Sequence, residues 1–130
     1  MANRKWYASP IIAGIVGVFA GGLTILLLES AGHVLFGTAD PADLSTITGP
    51  MFASVLVAWV VGCYVAGTVA TLWTGSTSMT PGIVAGLVLL GGAVMNIIAL
   101  PHPMWLVVAA FVLMPAAAFL AARSRVPRRA

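Results

Sequence analysis

Long apolar runs separated by short polar breaks dominate the chain. Residues 11–28 read IIAGIVGVFAGGLTILLL, and Glu29 follows at once, with His33 one helical turn later. Four apolar runs recur. Segment one extends from about Pro10 to Phe36, its proline at a first turn where the missing N–H costs nothing. A turn-rich stretch, GTADPADLSTITG, leads to segment two, about Pro50 to Trp73. GSTSMT precedes segment three, which opens at Pro81 and reaches about Leu100. Pro101-His102-Pro103 then forces a tight turn, because a proline disfavours helix for the residue before it. Segment four covers Met104 to about Ala122. Each run approaches or exceeds the roughly 20 residues a helix needs to cross a bilayer. The pattern predicts an all-α integral membrane protein, an antiparallel up-down four-helix bundle forming a single domain over residues 1–130.

Composition agrees. The chain is 61% hydrophobic and 7% charged, whereas soluble domains carry about 25% charged residues. Too few polar side chains exist to cover a water-facing surface, so lipid is the expected solvent and first partner. The net charge of +3 invites a nucleic-acid reading, but the six basic residues sit at the two ends. Arg4 and Lys5 precede segment one; Arg123, Arg125, Arg128 and Arg129 follow segment four. That layout fits anionic head groups rather than nucleic acid, and the positive-inside rule places both termini in the cytoplasm, N-in and C-in. Trp6, Tyr7 and Trp73 would mark the inner interface and Trp105 the outer one. The first run is too long for the apolar part of a signal peptide and lacks a small-residue cleavage site.

Small residues recur at spacing four: Ala13, Gly17 and Gly21 in segment one, Ala58, Gly62, Ala66 and Ala70 in segment two, Gly82 and Gly86 in segment three. In lipid such stripes let helix backbones approach closely. They either hold the bundle together or form a homo-oligomer interface, with segment two the best candidate for the latter. The single Cys63 has no partner for an internal disulfide and reads as a small core residue.

Depth arithmetic groups the remaining polar residues. At 1.5 Å per residue, Glu29 lies about 10 Å inward of Phe36, Trp59 about 12 Å below Met51, and Asn96 about 7 Å short of Pro101. His102 is in the outer turn. Glu29, His33, Trp59, Asn96 and His102 thus fall in the outer third, and only Tyr64 and Cys63 are ionisable below them. An intramembrane acid is costly and marks a functional locus. Glu29 and His33 share a helix face, and an acid beside an imidazole shares a proton or holds a cation. Three readings stay open: a structural cluster pairing Glu29 with His33 or Asn96, a ligand or proton-coupling site, or a divalent-metal site on Glu29, His33 and His102. Individually, His102 reads as a helix-end cap, Asn96 as interhelical glue and Trp59 as packing, a lid or a stacking surface. Pro115 should kink segment four. Asp40 and Asp43 read as solvated loop charges around a turn shaped by Pro41, with a peripheral cation role as the alternative. No nucleophile–base pair, phosphate loop, haem or iron–sulfur spacing is present, so an enzyme is the less favoured reading and no cofactor is expected beyond that metal.

With these residues in view, the chain resembles a group of small four-span bacterial membrane proteins without assigned function. The shared features are a first span ending in Glu29 with His33 a turn later, a short acidic loop, Trp59-x-x-Gly62, and Asn96 followed by Pro101-His102-Pro103-x-Trp105, with a later Pro115. The resemblance implies a bacterial inner membrane and transfers no activity. The chain is more loosely similar to small multidrug exporters, four-span chains with one membrane glutamate, but their glutamate lies near the start of span one and Glu29 near its end. The expected function is therefore binding of a ligand or partner at a periplasm-facing pocket, by a homo-oligomer or a subunit of a larger membrane complex. The alternatives are a small proton-coupled transporter and a metal-dependent membrane enzyme.

Overall fold

The computed structural model describes residues 6–40 and 42–127; Arg4, Lys5, Pro41, Arg128, Arg129 and the Trp6 side chain lie outside the described set. Four helices carry the fold: α1 (Pro10–Phe36), α2 (Gly49–Trp73), α3 (Thr80–Ala99) and α4 (Met104–Arg125). All four are long and apolar enough to cross a membrane. Their ends follow local chemistry. Ser9 caps α1 by accepting from the Ile12 N–H at 3.3 Å, with Pro10 in the first turn. At the other end Gly37 takes a φ of 86°, a region that favours glycine, and its N–H bonds the His33 carbonyl at 3.0 Å. Prolines stand in the first turns of α2 and α3 and immediately before α4. Helix α4 continues unbroken through Pro115, three residues beyond the expected end at Ala122.

The order of packing places α2 and α3 at the centre, with α1 against both on one side and α4 against both on the other. Close approaches give the directions. Gly17 stands against Ala66 and Ala70, Gly21 against Gly62, and Gly32 against Ser54, so α1 and α2 are antiparallel. Gly82 meets Gly67, Thr71 and Ala122, and Gly86 meets Ala118, so α3 opposes α2 and α4, while Gly17 near Ala85 and Gly21 near Leu89 make it parallel to α1.

Helices joined this way bury small residues and expose large ones. Ala13, Ala58, Cys63, Ala66, Ala70, Ala85, Ala110 and Ala121 are fully buried, whereas Val34 is 85% and Phe19 75% exposed. The physical reason is the solvent. Lipid tails are as apolar as leucine, so burying a large side chain gains little, and dispersion between close backbones holds the helices together. A Cβ added at Gly21 would sit 2.6 Å from the Gly62 carbonyl oxygen, which shows how little space separates α1 from α2. Of the two readings of the small-residue stripes, the structure bears out bundle packing for segment two: Ala58, Gly62, Ala66 and Ala70 are buried within a single chain.

At the end bearing the chain termini, the Trp73 Nε1–H donates to the Tyr7 carbonyl at 2.7 Å, tying the amino-terminal segment to the end of α2. The opposite end gathers the α1–α2 loop, the α3–α4 turn and the polar residues.

Candidate functional site

Glu29 sits on α1, half-buried, two turns before the helix ends. Its Oε1 accepts a 2.9 Å hydrogen bond from the Nε1–H of Trp59. Trp59 belongs to the buried core, only 3% exposed, on the α2 face that also carries Phe52, Val55 and Leu56. The indole is large and apolar, but its N–H demands an acceptor when buried. The carboxyl group is the acceptor that α1 supplies at that height. Trp59 therefore does more than pack: it is the residue that holds the acid.

His102 covers the indole from the α3–α4 turn. Its ring centroid lies 5.9 Å from that of Trp59 and 5.6 Å from that of Phe52, both tilted. Its Nδ1 is 2.7 Å from the Leu100 carbonyl oxygen. A carbonyl only accepts, so Nδ1 carries the proton, and in the neutral ring Nε2 is left as an acceptor. The flanking prolines hold this geometry: Leu100 is extended, with φ −131° and ψ 140°, as a residue before proline must be. The expectation that the ring caps a helix end is met, since Leu100 is the C-cap of α3.

Above these groups lies a cavity of about 250 Å³. Glu29, His33, Asn96 and His102 all line it, from two helices and a turn, with Met51, Phe52 and Val55 supplying apolar wall. His33 is exposed at the rim, and Asn96 is half-buried on the last turns of α3. The Asn96 carboxamide forms no hydrogen bond to another described residue, while its backbone carbonyl accepts from the Leu100 N–H at 3.0 Å. Four of the five residues grouped by depth thus share one cavity, and the fifth, Trp59, anchors the acid beside it.

Two expectations change. Glu29 pairs with Trp59 rather than with His33 or Asn96. The proposed metal set of Glu29, His33 and His102 is not assembled: among the described residues no group of three His, Cys, Asp or Glu side chains could hold a metal ion. The three side chains line the cavity without converging on one point. Phe52, Met51 and Gly37 were not foreseen as lining; Phe52 was findable, standing seven residues before Trp59 and so on the same helix face.

The loop beside the cavity is held by its own backbone. The Asp43 side chain accepts from the Ser45 hydroxyl at 2.7 Å and the Ser45 N–H at 3.0 Å, and Asp40 accepts from the Ala42 N–H at 2.8 Å. The Ser45 hydroxyl, then the Ser45 N–H, hold the Asp43 carboxyl below its usual range. Both acids are exposed, and both point into local turns rather than toward a shared cation.

Comparisons with protein-family models, with curated proteins and with solved structures find no match to this chain. The functional reading rests on the cavity itself.

Proposed function

We propose that this chain is a non-enzymatic protein of the bacterial inner membrane that binds a small ligand in a periplasm-facing pocket. One observation carries the reading: Glu29, His33, Asn96 and His102, from separate stretches of the chain, line a single cavity at the end remote from the termini. The orientation follows from the basic residues at both ends of the sequence, which favour the cytoplasmic side. Glu29 is the charged centre, Trp59 fixes its position, His102 and Phe52 form an aromatic wall, and Asn96 supplies an adaptable amide.

The packing beneath the cavity favours binding over passage. Below Glu29 and Trp59, α1 and α2 close through Gly21, Gly62 and Ala66, with no ionisable side chain on α1 toward the termini. A proton-coupled carrier needs polar groups along such a path.

A ligand that binds the folded state alone raises its stability by mass action. Thermal unfolding of wild type and Glu29→Gln with a panel of small organic ions and neutral compounds tests the proposal. At least one compound should raise the Tm of wild type and leave that of Glu29→Gln unmoved. Identical shifts across the panel would remove the case for a pocket centred on this acid.

A further inference from the structure

Glu29, His102 and Asn96 each offer an acceptor to a ligand in the cavity, beside donors on the Asn96 amide and the His33 ring. Oε1 of Glu29 takes the indole N–H, which leaves the second oxygen for a guest. The Nδ1–H of His102 donates to the Leu100 carbonyl, which in the neutral ring leaves Nε2 with a lone pair to accept. The Asn96 side chain, with no described partner, presents its carbonyl oxygen to a donor by turning about its last torsion. Among the described residues no lysine or arginine lines the cavity, and Arg123 and Arg125 are at the far end of α4. A carboxyl group at membrane depth is expensive unless an opposite charge meets it, and the described residues place no permanent cation there.

We propose that the ligand is a small organic cation whose charged group carries N–H donors, a primary ammonium on a short apolar body. This rests on the pocket reading above and names its substrate class. The ammonium satisfies the free oxygen of Glu29, Nε2 of His102 and the Asn96 carbonyl, and the rings of Phe52 and His102 flank the apolar body. Favourable contact between cations and aromatic faces adds to the preference. At about 250 Å³ the cavity is smaller than the roughly 300–1,000 Å³ of drug-sized sites, which limits the guest to a small molecule. An anion would face the Glu29 charge. A quaternary ammonium would leave the acceptors unpaired, and a bare metal ion lacks a ligand set.

Calorimetric titration of the purified full chain in phosphatidylcholine nanodiscs separates these classes, with benzylammonium, benzyltrimethylammonium, benzyl alcohol and benzoate as probes. Benzylammonium should bind at least about tenfold more tightly than the other three, as expected for hydrogen bonds to a charged group. Glu29→Gln, which keeps an oxygen to accept from Trp59, should reduce benzylammonium to the affinity of benzyl alcohol and leave the alcohol unchanged. Should that variant fail to fold, Asn96→Leu should weaken benzylammonium more than benzyl alcohol. Benzoate, the alcohol or the quaternary ion binding as well as benzylammonium would overturn the ligand class while the pocket stands. Equal loss of benzylammonium and benzyl alcohol in the variant would also overturn the class. No binding by any of the four would overturn both readings.

Discussion

The two ends of the bundle are built from the same four helices by opposite packing rules. Toward the termini, glycine and alanine bring backbones together: Gly17 against Ala66 and Ala70, Gly67 against Ala118, Gly82 against Gly67 and Ala122. Toward the other end α2 carries Met51, Phe52, Val55 and Trp59, α4 carries Leu106, and a cavity of about 250 Å³ opens between the helix ends. Small residues let helices close, and bulky ones hold them apart. The difference teaches where a membrane bundle places chemistry: polar groups are tolerated where bulk leaves room for a guest or for water, and the close-packed half provides the rigid base that fixes their positions.

The largest effect should come from forcing the tight half open. A Cβ at Gly21 meets the Gly62 carbonyl oxygen at 2.6 Å and Ala66 Cβ at 2.8 Å, so Gly21→Val overpacks a backbone contact and should cost about 1–3 kcal/mol or more. Nothing lies within 4 Å of a Cβ at Gly92, so Gly92→Val should stay within about 0.5 kcal/mol of wild type. Denaturant unfolding in detergent compares them; equal losses would deny the contrast between tight and open faces.

Trp59→Phe sharpens the other side. It keeps an aromatic surface for His102 but removes the donor to Glu29, leaving an acceptor unpaired at a cost of about 1–3 kcal/mol. The same unfolding measurement reads it, and Glu29→Gln, which preserves the bond, should lose less. A Glu29→Gln variant weaker than Trp59→Phe would mean the acid is held by something other than the indole.

The smallest effect belongs to the loop. Ser45 holds the Asp43 carboxyl below its usual value, so the turn it stabilises is complete above the ordinary carboxylate range and is lost as pH falls through that lower folded value. The Ser45 amide resonance should shift over that acid window in wild type and stay flat in Asp43→Ala. A flat wild-type trace would separate Asp43 from the order of the loop.

Much of this contrast was legible along the chain. Prolines and glycines punctuate the apolar runs, so the expected spans agree with the helices to within a residue at most ends. Helix α4 outlasts its apolar run because hydropathy marks the edge of lipid, while Arg123 and Arg125 are good helix formers beyond it. Depth was legible too, since rise per residue is fixed. Rotation about each helix axis was not. The spans are apolar all round, so no polar face told Glu29 to meet Trp59 rather than His33. Nor did the stripe of Ala58 to Ala70 reveal whether its partner lay inside or outside the chain. Helix α4, packed against two neighbours, continues through the hydrogen bond that Pro115 removes.

Thiol accessibility tests the central contrast most directly. In a Cys63→Ala background, Asn96→Cys places a thiol in the cavity wall, whereas the native Cys63 is fully buried among α2, α3 and α4. A membrane-impermeant maleimide added from the side remote from the termini should label Asn96→Cys readily and leave the wild-type Cys63 unmodified. Equal silence at the two positions, or labelling of Asn96→Cys from the side of the termini alone, would contradict an open polar end above a sealed apolar one.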